Sequence, residues 1–114
     1  MYFSSKKLLQ LGLAFVFIYA GVSMLVHPQD WIGFVPPWLE FGFITRELFL
    51  YANGLLEILL ASAFLLGRWQ KQIGWFAFLH LLLIVFVNGE SGFLITFRDV
   101  GLSFSALAYA YIKT

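Results

Sequence analysis

Cysteine is entirely absent from this chain. Its absence excludes an internal disulfide, a CxxC redox pair, an iron–sulfur cluster and a thiolate metal site. The motifs HExxH, GxGxxG, GxxxxGK[ST] and GxSxG are also missing, so the sequence gives no support to a zinc protease, a nucleotide-binding protein or a serine hydrolase. The lack of cysteine does not indicate a cellular compartment, because it gives no information about the redox environment.

Charged side chains are scarce as well. They make up 11% of the 114 residues, whereas a soluble domain usually carries about 25%. With 61% hydrophobic residues, too little polar surface remains to cover a water-soluble globule. We therefore predict a single integral membrane domain, residues 1–114, whose principal partner is the lipid bilayer. The net charge of +1 and the lack of a basic run exclude a nucleic-acid partner.

Long apolar runs predict transmembrane helices, because a bilayer core needs about 20 residues of helix. The runs cover residues 8–26, 46–66, 72–87 and 93–112. This pattern predicts an all-α fold, an up-down antiparallel four-helix bundle. The first run follows Lys6 and Lys7, and a basic segment before an apolar run is also typical of a secretory signal peptide. Three features favour a first helix that stays in the mature protein. They are the length of the run, the lack of an A-x-A-like cleavage site before His27, and the further apolar runs after it.

The segment between the first two runs, residues 27–45, interrupts the pattern. Its three prolines, with Gly33 and Gly42, prevent one continuous helix. Trp31 and Trp38 among phenylalanines are typical of a segment that lies in the headgroup region. The sequence therefore predicts an interfacial loop between helices 1 and 2, with short turns at 67–71 and 88–92.

The placement of charge predicts the orientation of the chain. Most cationic residues fall on the side of both termini: Lys6, Lys7, Arg68, Lys71 and Lys113. By the positive-inside rule, both termini lie in the cytoplasm and the protein is a multi-pass protein of the cytoplasmic (inner) membrane. Trp31 and Trp38 then mark the outer interface, and Trp69 and Trp75 mark the inner one.

Each predicted helix carries one polar stripe, and in lipid such stripes face the bundle interior. The stripes are Tyr19, Ser23 and His27 on the first helix, Arg46, Asn53 and Glu57 on the second, His80 with Asn88 on the third, and Asp99 with Ser103 on the fourth. Glu57 is the centre of this pattern, because an ionisable residue at mid-membrane depth is a functional-site hypothesis by default.

Depth along the helices indicates which polar groups can meet. At about 1.5 Å per residue, Glu57 lies roughly 16 Å and His80 roughly 12 Å from the outer ends of their helices, and Arg98 and Asp99 lie about 8–9 Å below the outer surface. We predict a polar network of Glu57, Asn53, His80, Arg98 and Asp99 that opens toward the outer side and binds a ligand. A haem held by His27 and His80 is not expected, since the two differ by about 12 Å in depth, and no metal site is predicted.

Structural roles for the same residues stay open at this point. A protonated Glu57 could donate a hydrogen bond to Tyr19 or Ser23 and fix helix packing. His80 could be a packed core residue, and the Arg98–Asp99 pair could be an interfacial pair at the start of the fourth helix, where an acidic side chain favours the helix dipole.

Several segments together resemble a known family. They are Tyr19-Ala20-Gly21, Pro28, residues 54–67 (GLLEILLASAFLLG) and residues 98–102 (RDVGL). In this order and spacing, over nearly the whole chain, they resemble the DoxX-like family of small four-span membrane proteins. The resemblance implies a four-helix bundle with Glu57 and Asp99 at the family's recurrent acidic positions. Members include a subunit of a thiosulfate:quinone oxidoreductase. This chain departs from many members at Met24, where they have a lysine, and at His27, where an acid often precedes the proline.

Three functions are compatible with these features. The leading hypothesis is an accessory subunit of a membrane oxidoreductase that holds a quinone, where Glu57, His80 or Arg98 supplies a proton to a quinone carbonyl. The chain has no intrinsic cofactor and no self-contained catalytic motif, so electrons would come from a redox protein partner. The second is a small transporter or permease-like component. The third is a structural membrane protein without catalytic activity, assembled as a homo-oligomer through the small faces Ala106/Ala110 and Gly54/Ala61.

Overall fold

The computed structural model describes residues 4–36, 38, 40, 42, 45–88 and 93–113. Within these ranges the protein is all-helical and contains no strand, which confirms the predicted class. The elements are α1 (Ser5–Val26), 3₁₀ turns at Pro28–Asp30 and Ile32–Phe34, α2 (Arg46–Leu66), α3 (Gln70–Asn88) and α4 (Phe93–Tyr111). Below, the turn end is the end of the bundle that holds residues 67–69, and the loop end is the opposite one, where residues 27–36 lie.

Among the described residues, α1, α2 and α3 are long and apolar enough to cross a membrane. Only 28%, 33% and 22% of the residues in their most apolar windows are buried inside the protein. Most of this apolar surface therefore faces outward, as it does on helices whose solvent is lipid. These observations support a membrane protein with transmembrane helices.

Local capping explains where α1 and α2 begin and where α2 ends. The side chains of Ser4 and Thr45 accept hydrogen bonds from the backbone N–H groups of Lys7 and Leu48, at 3.1 and 3.0 Å. Such N-caps satisfy donors that the first helical turn leaves unpaired. At the other end of α2, Gly67 adopts a left-handed conformation with φ 72° and bonds back to the Ala63 carbonyl, a glycine C-cap that turns the chain toward α3.

The four helices form two closely packed hairpins, α1 with α2 and α3 with α4. Glycine makes each contact possible. A Cβ atom on Gly21 would lie 2.6 Å from the Gly54 carbonyl oxygen, and one on Gly74 would lie 2.5 Å from the Ala110 Cβ. Small residues at such crossings let the helix backbones approach closely, which is how packing in lipid is stabilised.

The hairpins meet each other tightly at the turn end. All four helices contribute to the apolar core there, which consists of Leu13, Ala14, Phe17, Leu60, Ala61, Phe64, Ala77, Leu81, Ala106 and Tyr109. The Phe64 ring stacks on Phe17 at 5.7 Å and meets Tyr109 edge-on at 5.1 Å, arrangements that aromatic pairs favour. Gln10 and Gln70 close this end, since their side-chain amides donate to the carbonyls of Phe64 and Tyr109, each at 2.7 Å.

The loop end is packed differently. Among the described residues, its buried core consists of Met24, Val35 and Leu50, which come from α1, the loop and α2. The loop is folded onto this hairpin by specific hydrogen bonds: the Trp31 indole donates to Ser23 at 2.8 Å, and Arg46 donates to the carbonyls of Ile32 and Val35 at 2.9 Å each. The two hairpins are therefore joined at the turn end and separated at the loop end.

Candidate functional site

The gap between the hairpins at the loop end forms a cavity of about 350 Å³. This volume lies within the range of about 300–1,000 Å³ that is usual for small-molecule sites. Ten of its thirteen lining residues are apolar: Met24, Trp31, Val35, Phe49, Leu50, Ala52, Leu56, Leu83, Ile84 and Val87. The other three are Asn53, His80 and Asp99. A mostly apolar pocket with a few converging polar groups is the usual form of a ligand site.

The three polar residues of the cavity come from three different helices. Asn53 lies on α2, His80 on α3 and Asp99 on α4. Their stripes were expected to face the bundle interior, and the structure places these three members of the predicted network in the lining of one cavity. At the loop end, α2, α3 and α4 thus each turn one polar position toward the cavity.

Glu57 lies one helical turn deeper than Asn53 and is 5% exposed. The Asn53 amide donates to Glu57 Oε2 at 3.4 Å and contacts the Met24 sulfur at 3.5 Å. Glu57 is also close enough to Asp99 for their charges to interact. Glu57 does not line the cavity itself, but Asn53 connects it to the cavity wall, and Asp99 brings a second carboxyl group near it.

His80 is the most unusual member of the wall. Its side chain is 8% exposed, and its Nε2 atom has no hydrogen-bond partner among the described residues. A buried polar atom left unpaired costs about 1–3 kcal/mol. A ligand that hydrogen-bonds to Nε2 would recover this free energy, so the imidazole favours occupants with a polar group at the His80 side of the cavity.

Arg98 is not part of this group. It is exposed and does not line the cavity, although it precedes Asp99 directly. Neighbouring positions on a helix point about 100° apart, so burying Asp99 turns Arg98 outward. The structure therefore brings together Glu57, Asn53, His80 and Asp99 but leaves Arg98 outside.

The stripe expected on α1 does not face the interior as a unit. The Tyr19 side chain is 66% exposed, His27 is exposed, and the Ser23 hydroxyl accepts the bond from Trp31. The expectation that Tyr19 faces inward is therefore wrong. Glu57 accepts a hydrogen bond from Asn53, whereas the expectation was that it donates one to Tyr19 or Ser23. Turning Gly21 and Met24 toward α2 places Tyr19 on the outer side of α1.

Two residues of the loop end have roles that sequence reasoning missed. Arg46 was grouped with Asn53 and Glu57 by spacing, but it holds the loop through the carbonyls of Ile32 and Val35. Trp31 was assigned to the headgroup region, and it also lines the cavity. The signal for Arg46 was its position at the first residue of a helix directly after the loop, where a long cationic side chain reaches backbone carbonyls.

The small faces considered for oligomer formation are occupied within the chain. Ala61 and Ala106 are 0% exposed and Ala110 is 6% exposed, and Gly54 is buried against Gly21. These residues pack helices of one chain together. A second copy of the protein would have to bind elsewhere.

A comparison with protein-family models, curated proteins and solved structures found no match to this chain. The likeness to the DoxX-like family stays a prediction. No group of three potential metal ligands comes together within the described ranges. The cavity with Asn53, His80 and Asp99, and Glu57 behind it, is therefore the feature on which a function can be based.

Proposed function

We propose that the protein is a DoxX-like, four-span accessory subunit of a membrane oxidoreductase, and that it holds a quinone-like molecule in the cavity at the loop end. The observation that supports this most is the convergence of Asn53, His80 and Asp99 on an otherwise apolar cavity. A quinone has the matching chemistry, since its ring is apolar and its carbonyl oxygens accept hydrogen bonds.

The wall residues would have distinct roles toward such a ligand. The His80 ring nitrogen donates to a carbonyl oxygen, while the Asn53 amide holds Glu57 beside the cavity. Reduction of a quinone to a quinol consumes two electrons and two protons. The carboxyl groups of Asp99 and Glu57 can supply protons, and the electrons come from a redox protein partner, because the chain brings no redox centre of its own.

The same proposal includes α4 as a fourth span and places both termini in the cytoplasm. Close packing of α4 along α3 supports the span. At the turn end, the Trp75 indole donates to the Tyr111 hydroxyl at 3.0 Å, and the Lys71 ammonium lies 5.2 Å from the centre of the Tyr111 ring. Aromatic and cationic side chains gathered at one end are typical of the cytoplasmic interface.

Native mass spectrometry of the protein extracted from its own membrane tests the proposal. We expect a bound quinone, together with a co-purifying redox subunit. His80→Phe removes the unpaired nitrogen and should release the quinone, while His27→Phe, the same change at an exposed position, should retain it. Protein that carries only ordinary phospholipids, or that retains the quinone equally in both variants, would contradict a quinone site at His80.

A second function, a small transporter or permease-like component, is favoured by one observation. Two carboxyl groups, Glu57 on α2 and Asp99 on α4, are close enough for their charges to interact, and intramembrane acids often mark proton pathways. Glu57→Gln keeps the side-chain size and removes the charge, and Glu47→Gln is its exposed control. Proton flux into vesicles that is lost only with Glu57→Gln would favour transport, and flux unchanged in both would exclude this role for Glu57.

A further inference from the structure

We infer that the cavity is reached sideways from the bilayer, through a seam between α2 and α3, so that its ligand is a membrane-dissolved lipophile with a hydrogen-bonding head. The inference rests on the proposed function in one respect, namely that the cavity holds a ligand. It adds the path that the ligand takes and the physical state in which it arrives.

The first observation is that α2 and α3 are the most loosely packed of the four neighbouring helix pairs. They share fewer contacts than α1 with α2, α3 with α4 or α1 with α4, although a turn of only residues 67–69 connects them. The glycine contacts explain the difference, since Gly21 and Gly54 fix α1 on α2, while Gly74 fixes α3 on Ala106 and Ala110. None of these contacts joins α2 to α3.

The second observation is that the residues around the mouth of the cavity are apolar. Phe49, Ala52 and Leu83 line the cavity and are exposed at the same time, Leu83 by 59%. Further exposed residues along the two helices are also apolar: Leu48, Leu55, Leu59, Leu79 and Phe86. A mouth that opened to water would present polar groups, whereas this one continues the apolar outer surface of α2 and α3. The cavity therefore opens toward lipid.

The third observation is the cover over the cavity at the loop end. Trp31 and Val35 line the cavity, and Val35 is 4% exposed. Arg46 holds this part of the loop by its bonds to the backbone at Ile32 and Val35. The described part of the loop thus shields the cavity from the adjacent aqueous side.

The fourth observation concerns the occupant. No described residue hydrogen-bonds to His80 Nε2, and Asn53 and Asp99 add polar groups to the cavity lining. The alkyl chain of a phospholipid offers nothing to these groups. A lipophile with a hydrogen-bonding head satisfies them, and its tail lies along the seam between Ala52 and Leu83.

Fluorescence of Trp31 in phosphatidylcholine vesicles tests this path directly. Replacing Trp38, Trp69 and Trp75 with phenylalanine leaves Trp31 as the reporter. The probes are decylubiquinone, which dissolves in the bilayer, and a tailless benzoquinone added from water. We expect decylubiquinone to quench Trp31 to saturation, whereas the tailless probe at the same total concentration quenches it weakly.

Ala52→Phe narrows the mouth and should slow quenching by decylubiquinone by about tenfold. Ala108→Phe makes the same change at an exposed position of α4 and should leave the rate unchanged. Leu83→Ala widens the mouth and should accelerate quenching, which provides a test that does not depend on the folding of Ala52→Phe.

The outcomes separate the two proposals. Saturable quenching whose rate is the same in Ala52→Phe, Leu83→Ala and the parent would show that the cavity binds the probe but is reached by another path, which overturns this inference alone. Equal quenching by both probes would also overturn it. Quenching that never saturates would show that the cavity does not bind the probe, and the proposed function would fall together with the inference.

Discussion

The side-chain amide of Asn53 lies 3.4 Å from Oε2 of Glu57, one turn along the same helix, and it also forms part of the cavity wall. The deepest acidic group of the described structure is thus connected to the cavity by a single neutral side chain. The geometry makes Asn53 a direct link between the cavity and Glu57.

Replacing Asn53 with leucine should lower the free energy of unfolding by about 1–3 kcal/mol, because Glu57 would lose its donor while remaining buried. The double variant Asn53→Leu/Glu57→Leu should cost less than the sum of the single variants, by about 0.5–3 kcal/mol. Unfolding in mixed micelles with increasing SDS measures both values. Strict additivity would show that the two side chains do not interact.

Gly21→Ala should destabilise the α1–α2 hairpin by about 1–3 kcal/mol, because its Cβ would meet backbone that cannot move aside. The nearest atoms are the Gly54 carbonyl oxygen at 2.6 Å and Ile58 Cγ1 at 2.7 Å. Gly12→Ala on the same helix is the control. Its Cβ would meet nothing within 4 Å, so improved helix propensity should stabilise it by up to about 1 kcal/mol. Equal thermal stabilities of the Gly21→Ala and Gly12→Ala variants in detergent would contradict the close crossing of α1 and α2.

Gly74→Ala should act on the other hairpin in the same way. The new methyl group would lie 2.5 Å from the Ala110 Cβ and 2.7 Å from the Ala106 carbonyl oxygen, which forces α3 away from α4 at a cost of about 1–3 kcal/mol. Gly101→Ala on α4, where nothing lies within 4 Å, should be neutral or stabilising. Because the two glycines contact different residues in different hairpins, the effects of Gly21→Ala and Gly74→Ala should add.

Arg46→Gln should release the loop from the α1–α2 hairpin, since it removes the guanidinium bonds to Ile32 and Val35. Hydrogen bonds from a charged donor contribute about 1.5–3 kcal/mol each, so backbone amides in residues 31–35 should exchange with deuterium faster. Arg98→Gln, at an exposed position, should leave their exchange unchanged. Identical protection in both variants would show that Arg46 does not hold the loop.

The sequence was sufficient to predict the helices. Apolar runs, the cap at Thr45 and the glycine at position 67 determine α2, which runs from Arg46 to Leu66 as expected. These signals are local, and residues within a few positions of each other generate them. The end of α1 has a local cause too, because Pro28 prevents the helix from continuing; the 3₁₀ turns themselves were not predicted.

The site was predictable only in part, because spacing defines a helical stripe but not the direction in which the helix is rotated. Asn53, His80 and Asp99 face the cavity, and Tyr19 faces outward. Rotation of α1 is fixed instead by the contact of Gly21 with Gly54, a pair 33 residues apart by their numbers. Nothing in the sequence identifies which glycines meet, and the cavity exists because no such pair joins α2 to α3.

The division into two hairpins also orders the assembly of the protein. During synthesis α1 and α2 emerge first, and the Gly21–Gly54 crossing can form before α3 and α4 have been made. The second hairpin then docks through the ring of Tyr109 against Phe64, as independently stable units associate in a membrane. The cavity wall, which needs Asn53 from the first hairpin and His80 and Asp99 from the second, is completed only in this last step, so a ligand present at that moment would favour the docked state of the newly made chain.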